Sequence, residues 1–445
     1  RVYRNLLNTE IRKLLPDPCS KILGCPLSQP SRAALWSGLM PHQTNVRSNS
    51  AEHINPPLPD SIPTLGSLFT ANGYEAVHFG KTHDMGSLRG FRHKEPVAKP
   101  FTDPEFPVNN DSFLDVGTCE DAVAYLSNPP QEPFICIADF QNPHNICGYV
   151  GENKGEHIDS PISTPLPLLP ENFEVEDWEK LPLPIQYICC SHRRMMQAAH
   201  WNEDNYRHYV AAFQHYTRIV ARQIESVLEA LYSTPAGKNT IVIVLADHGD
   251  GMGSHRMVTK QVSFYEEMTN VPFIIAGPGI HPRQKPVEDL LTQPTIDLLP
   301  TLCELAGIPV PSSKPGISLA PFLKGEKQKR QHPYAASEWH SEYEVTVSPG
   351  RMIRSPRYKY THYLEGNGEE LYDMLKDKGE RRNLAHDPKY SKILAEHRAL
   401  LDDYIRRTQD DYRSLKVEAD KRWRSHAPGY PNHEGPCARD IINRK

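Results

Sequence analysis

The sequence predicts an α/β fold, with a large, mostly parallel or mixed central sheet flanked by helices and a smaller C-terminal α+β subdomain. Three observations carry this expectation. Short β-branched apolar runs recur along the first part of the chain, segments with helical apolar spacing stand between them, and the texture changes near Ser337. Strands that alternate with helices build βαβ units and a mainly parallel sheet.

The elements follow in order. Ala76-Val-His-Phe reads as a strand after a helix closed by the Asn72-Gly73 C-cap signal. Phe134-Ile-Cys-Ile-Ala, Thr240-Ile-Val-Ile-Val-Leu-Ala and Val271-Pro-Phe-Ile-Ile-Ala are further buried strands. Tyr209 to Tyr232 has helical spacing and leads into the Thr240 run. Beyond Ser337, the stretch from Met352 through Tyr358-Lys-Tyr-Thr reads as a strand and turn. Glu370-Leu-Tyr-Asp then leads to a charged helix from about Ser391 to Thr408, and the tail past Arg424 is expected to wrap the surface or stay mobile. The expected division is a catalytic unit at 1–335 and a C-terminal subdomain at 336–445. Asn55-Pro-Pro-Leu-Pro and Pro161 to Pro170 cannot continue a helix or a central strand, so they are expected to be long surface loops.

The bulk numbers exclude some classes. A chain of 445 residues, 38% hydrophobic, can bury a large core. A formal net charge of -5 argues against nucleic acid as a general partner, because phosphate binding needs a basic face. No apolar run is long enough to span a bilayer. The sequence opens at Arg1 without a charged n-region and apolar core, so a signal peptide is expected to be absent or already removed. Nine cysteines leave at least one unpaired in a monomer; no paired CxxC suggests structural zinc, and most are expected to be buried thiols, with room for one or two disulfides.

Ligands of such sheets gather at the carboxyl ends of strands, and that is where the unusual residues stand. Ser28-Gln-Pro-Ser-Arg32 precedes a helix-forming stretch, which puts residue 28 near a helix N-terminus, where anions are favoured. Taken alone, Ser28 is ordinarily an N-cap. Lys81 and His83 follow one strand, His144 follows the next, and Asp247-His248-Gly249 ends a third. An Asp-His pair freed by glycines suits a metal site. His255 and Lys260 come a few residues later. Each has an ordinary reading by itself, as a solvated or structural residue. Together they form a cation-rich pocket for a tetrahedral oxyanion. His42, Arg92, His93 and Trp201 are weaker candidates for a subsite, with ordinary surface positions as the alternative.

These residues resemble a known family. Ser28-x-Pro-Ser-Arg-x5-Gly38 is similar to the signature of the type I, formylglycine-dependent sulfatases, in which the first residue is Cys or Ser. Gly80-Lys-x-His83 resembles the second signature of that family. Asn142-Pro-His144, Asp247-His248-Gly249, Lys260 with Phe264-Tyr-Glu-Glu, and Asp297-Leu-Leu-Pro-Thr-Leu recur in its order and rough spacing. The resemblance implies an alkaline phosphatase-like fold and an unusual nucleophile. Ser28 would be oxidised to formylglycine by a maturation enzyme, and the hydrated aldehyde would attack sulfur. Arg32 and Lys81 would stabilise the hydrate and the oxyanion, and His83 would be the base that collapses the intermediate. His144 and Lys260 would hold sulfate oxygens and help protonate the leaving alkoxide, with His255 beside them. Asp247, His248 and residue 28 would bind a hard cation, calcium rather than magnesium.

Three departures bear on this. Position 28 is Ser rather than Cys, and Cys25-Pro-Leu-Ser does not match the motif. The family's first strand ends in an Asp-Asp pair of metal ligands, which nothing in residues 1–27 matches. Thr82 and Asp84 stand where Trp and Leu are more usual. The expected substrate is a sulfated carbohydrate such as a glycan or glycosaminoglycan fragment. The compartment implied by the resemblance is periplasmic, secreted or lysosome-like. Two other readings stay open: a phosphatase or phosphodiesterase of the same superfamily using unmodified Ser28, and an inactive protein that binds sulfated glycans.

Overall fold

The computed structural model describes residues 21–49, 56–103, 106, 108–154, 165–174, 180–182, 184–186, 188, 193–260, 263–281, 291–326, 332–340 and 349–415. Its principal elements in the first part are α1 (Ser28–Ser37), α2 (Leu65–Ala71), β1 (Glu75–Gly80), β2 (Arg92–Lys94), α3 (Asn110–Ser127) and β3 (Phe134–Asp139). Then come α4 (Asn145–Glu152), α5 (Glu203–Tyr232), β4 (Val242–Leu245), β5 (Phe273–Ala276) and α6 (Pro294–Ala306). The later part holds β6 (Ala335–Trp339), β7 (Gly350–Arg354), β8 (Tyr358–Tyr363), β9 (Gly368–Asp373) and α7 (Ser391–Thr408). The chain is a mixed α/β protein.

The expected apolar runs are strands, with shifted limits. The Thr240 run is trimmed to Val242–Leu245, and the Val271 run to Phe273–Ala276. Pro272 has no N–H to give a ladder, which is why the latter starts one residue after it. The helix expected from Tyr209 begins earlier, at Glu203, where the Asn202 side chain accepts from the Asn205 N–H and caps it. The strand and turn expected from Met352 are two strands, β7 and β8, joined at Ser355–Arg357.

Pairing divides the central strands into two groups. β1 lies between β2 and β3, parallel to both, whereas β4 and β5 are antiparallel. Among the described residues, β3 and β4 each have one edge with no strand on it. A cavity of about 3020 Å³ lines both strands along their length. The residues of β3 and β4 are part-buried. The ends of the two strands nonetheless converge: Asp139 at the end of β3 and Asp247 just past β4 both bind Arg32.

Helices cover the sheet faces. α1 and α6 pack through Leu35, Trp36, Leu298, Leu299 and Cys303. α3 and α5 pack against β1 and β3 through Leu126, Ala230 and Leu231 and their neighbours. The second sheet is an antiparallel meander in the order β6-β7-β8-β9. α7 closes it, placing Leu394, Leu401 and Tyr404 on Ile353, Tyr360 and Leu371. Of the cysteines, Cys25, Cys119, Cys136, Cys147 and Cys303 are free thiols. Cys19, Cys189, Cys190 and Cys437 lie outside the described residues, as do the tail past Arg424 and the loop at 161–164.

Candidate active site

Residue 28 opens α1, but not as its cap. The N-cap is Leu27, with no side-chain cap bond, so the ordinary reading of Ser28 as an N-cap is wrong. Its hydroxyl faces His248 instead, with Oγ 2.8 Å from Nε2. The His248 Nδ1 lies 2.7 Å from the Gly249 carbonyl, which accepts only from an Nδ1–H; this fixes the tautomer and leaves Nε2 as an acceptor for the Ser28 hydroxyl. Burial pushes the ring down to about 4, so it is neutral at pH 7. Ser28 has no exposed surface.

One turn on, Arg32 joins the two strand ends. Its Nε donates to Asp247 Oδ2 at 2.9 Å, and its Nη2 to Asp139 Oδ1 at 2.7 Å. Burial opposes charge on the guanidinium, but the two carboxylates outweigh it and raise its pKa. Burial likewise opposes ionisation of Asp247, while His248, Arg32, Lys81 and Lys260 hold it well below the usual carboxylate range. Asp139 is also held low, with burial opposed by Arg32 and His78. His78 lies behind it, with Nε2 3.5 Å from Asp139 Oδ2 and Nδ1 2.8 Å from His93 Nδ1.

Lys81 leaves β1 through Gly80, where φ is 101° and a Cβ would stand 2.1 Å from the Asp139 carbonyl. Only glycine permits that approach. The Lys81 N–H donates to the same carbonyl at 2.9 Å, which seats the side chain at the strand end. Burial lowers the Lys81 amine to about 8, helped by Arg32 and Lys260. His83 is exposed and is not among the residues lining the cavity; partial desolvation, then Lys81, Arg32 and Lys260, disfavour its protonation. Gly249 makes another close approach, since a Cβ there would meet the Glu267 carbonyl at 1.7 Å. Several non-glycine residues in these loops hold positive φ: His83 (46°), Met252 (50°), His255 (50°), Arg256 (56°) and Thr259 (58°). Such strain concentrates at functional sites.

His144 and Lys260 meet on the other side of the cavity, with Nζ 3.1 Å from Nε2. Lys260 is 9% exposed, so the solvated reading of that lysine fails. His255 is not in this group. It is buried and stacks on Tyr265 with centroids 3.9 Å apart, beside Asn172, so the expectation that it contacts substrate is replaced by a packing role. The weaker subsite candidates are also engaged elsewhere. Trp201 is buried with its Nε1 donating to Asn153, His42 binds Glu338, and Arg92 pairs with Glu75.

The cavity is lined at this end by Arg32, Lys81, His144, Asp247, His248 and Lys260. Asp247 Oδ1 lies 3.8 Å from His248 Nε2, and Ser28 Oγ 2.8 Å from the same nitrogen, so the three could offer one face to a divalent cation once the Ser28–His248 bond is given up. They are not a full shell, because calcium takes six to eight oxygens. A second cluster, His42, Glu338 and Asp410, has ligand atoms within 4.8 Å of one another. Its lone pairs are taken: Glu338 accepts from His42 and Tyr404, and Asp410 accepts both Nε and Nη2 of Arg351. That cluster is an ion network tying residue 42 to the second sheet.

Sequence reasoning missed Asp139, Asp111 and His78. An acid directly after an apolar strand was a usable signal for Asp139. Asp111 lies 33 residues before His144 and gave none.

Comparison with known proteins places the chain in a family. The sulfatase family model matches residues 20–308, and that of the N-sulphoglucosamine sulphohydrolase C-terminal region matches 253–407. The Delta 4,5-hexuronate-2-O-sulfatase of Bacteroides thetaiotaomicron is 79% identical over 95% of this chain and 88% of its own length. A choline-sulfatase of Rhizobium meliloti is 27% identical over 82% of this chain and 74% of its own. The solved structure of a 2-O GAG sulfatase superposes with a TM-score of 0.90 at 78% identity, covering 95% of this chain and 91% of that one. A phosphonate monoester hydrolase of Agrobacterium radiobacter shares the fold, with a TM-score of 0.68 at 19% identity over 90% of this chain and 92% of its own. With the family model matching residues 20–308 and a sulfatase 79% identical over 95% of this chain, the chain belongs to the sulfatase family and is a sulfuric ester hydrolase on an alkaline phosphatase-like fold.

Proposed function

We propose that the chain removes the 2-O-sulfate from an unsaturated hexuronate at the end of a glycosaminoglycan fragment, the activity named for its 79% identical relative. The observation that carries this reading is the convergence of Arg32, Lys81, His144 and Lys260 on one end of the cavity. Four cationic or hydrogen-bonding groups around one point match the charge and geometry of a sulfate in transfer. Ser28 is the attacking position, converted to formylglycine by a maturation enzyme; the hydrate of that aldehyde supplies a nucleophilic oxygen and a second hydroxyl whose ionisation expels sulfate. Arg32 and Lys81 hold that oxygen and the sulfate. His83, kept neutral, accepts the proton of the second hydroxyl. Lys260 binds a sulfate oxygen and, with His144 beside it, serves the leaving alcohol. Asp247, His248 and residue 28 would hold calcium, whose charge would polarise the sulfate, with further ligands from outside these three. The division at 335/336, with the second sheet as a C-terminal subdomain, belongs to this reading, as does a periplasmic, secreted or lysosome-like location. Among the described residues no helix is long and apolar enough to cross a membrane.

Peptide mass spectrometry across Ser28, on protein matured in its own host, tests the nucleophile. Loss of two hydrogens at Ser28 is the expected result. Unmodified Ser28, with no sulfate released from a 2-O-sulfated unsaturated disaccharide, would reject it in favour of a phosphoester substrate or simple binding.

A pH profile tests Lys81. A lysine titrating near 8 is charged below that pH and neutral above it. KM for the sulfated substrate should rise about tenfold between pH 7 and 9, and Lys81→Arg should flatten the rise. A wild-type KM that is constant over that range would remove Lys81 from sulfate binding.

A further inference from the structure

Asp111 sits in the first turn of α3, and nothing above gives it a role. Its Oδ2 lies 3.0 Å from His144 Nδ1, and the opposite nitrogen of that ring, Nε2, lies 3.1 Å from Lys260 Nζ. The three groups form a line from the base of α3, through the loop after β3, to the loop after β4.

With Lys260 as an ammonium, the protonation pattern along that line has one consistent solution. Lys260 as an ammonium has only donors, so the Nε2 it faces must be the acceptor. A neutral ring with a free Nε2 carries its proton on Nδ1, and Nδ1–H requires an acceptor, which an ionised Asp111 supplies. Burial works against the Asp111 charge, but the His144 hydrogen bond and ring, with Lys81 and Lys260 behind them, hold the carboxyl below its usual range. The Asp111 bond favours a charged ring, while burial, Lys260 and Lys81 oppose it and keep His144 below its ordinary value. Both directions agree with carboxylate, neutral imidazole and ammonium in sequence. The alternative tautomer would aim Nε2–H at an ammonium and leave the Asp111 carboxylate facing a bare nitrogen.

We propose that Asp111 is a positioning residue that locks His144 in the Nδ1–H tautomer, so that the Lys260–His144 pair presents a shared proton to the departing oxygen of the substrate. In the step it serves, the residue-28 oxygen, attacking in its ionised form, makes a bond to sulfur as the bond from sulfur to the bridging oxygen breaks. The bridging oxygen leaves with the electron pair and takes a proton from the Lys260 ammonium. Lys260 is left as an amine hydrogen-bonded to His144, and Asp111 keeps the Nδ1 proton throughout. The inference rests on the sulfatase reading and adds to it the selectivity for poor leaving groups, since a secondary alkoxide of a sugar needs that proton and an activated phenolate does not.

Two measurements test it. The first is leaving-group dependence in matured enzyme, comparing a 2-O-sulfated unsaturated disaccharide with 4-methylumbelliferyl sulfate. Asp111→Ala should lower kcat on the disaccharide by about 10–100-fold, leave the aryl sulfate within about threefold, and be partly rescued by Asp111→Glu. An equal loss on both substrates would overturn the proposal. The second is nitrogen NMR of histidine-labelled protein, with the His144 signals assigned by their loss in His144→Gln. Wild type should show Nδ1 protonated and Nε2 bare, and Asp111→Ala should abolish that preference. An unchanged tautomer in Asp111→Ala would also overturn it. The NMR result needs no turnover, so it judges Asp111 even if the wild-type protein hydrolyses neither substrate, an outcome that would instead reject the sulfatase roles assigned above.

Discussion

Arg32→Ala is expected to destabilise the protein by about 3–5 kcal/mol at neutral pH, the usual cost of removing one partner from a buried ion cluster. Arg32 is 5% exposed and is the described cationic partner in ion pairs with both Asp139 and Asp247 apart from histidines. Without it two carboxylates remain in a poorly solvated site, and His78 at 3.5 Å gives Asp139 only a weak substitute. The pH dependence has a definite sign. Both carboxyls have folded pKa values below their unfolded ones, so their contribution is complete above about 4 and is lost as pH falls through the folded values. In the variant the same carboxyls, now unpaired, titrate higher and take up protons sooner. The stability gap should therefore be widest at pH 7 and narrow below about pH 4. Urea denaturation at both pH values measures it. A gap under about 1 kcal/mol at pH 7 would mean the cluster is already screened by water.

Ser28→Ala is expected to lower sulfate release by about a thousandfold or more, to the level of the remaining cation cluster acting alone. The fold should survive, because the substitution removes a single described side-chain hydrogen bond, to His248, worth about 1 kcal/mol. Circular dichroism and a thermal melt alongside the assay would separate the two effects. The variant does not discriminate between an aldehyde hydrate and a serine alkoxide as nucleophile, since either is lost; the mass at Ser28 does. Residual turnover within tenfold of wild type would displace residue 28 from the centre of the chemistry altogether.

Much of this was legible in the sequence because the signals were local. A β-branched run bounded by turns is a strand wherever it packs, so β1, β3, β4 and β5 could be read directly, and the helical spacing before β4 gave α5. The candidate site was legible for the same reason: Lys81, His144 and Asp247 each follow an apolar run, and ligands of parallel sheets gather there. Three kinds of information were not local. Burial of Lys260 depends on the walls around it. The orientation of His255 depends on Tyr265, against which a left-handed backbone turns it. The partnerships of Arg32 with Asp139, and of His144 with Asp111, join residues more than thirty positions apart. The N-cap reading of Ser28 failed because capping is a statistical habit of helix starts, while His248, brought from 220 residues away, competes for the same hydroxyl.

The bridge made by Arg32 has a mechanical consequence. Its guanidinium is a planar, rigid fork, with Nε on Asp247 and Nη2 on Asp139, so it acts as a spacer of fixed length between the ends of β3 and β4. A lysine at position 32 would keep the charge and lose the fork, since an ammonium on a flexible stem cannot hold two carboxylates at set positions. The two strand ends would then be free to drift against each other with the net charge unchanged, so the geometry of this spacer, and not its charge alone, sets how the loops that follow β3 and β4 face one another.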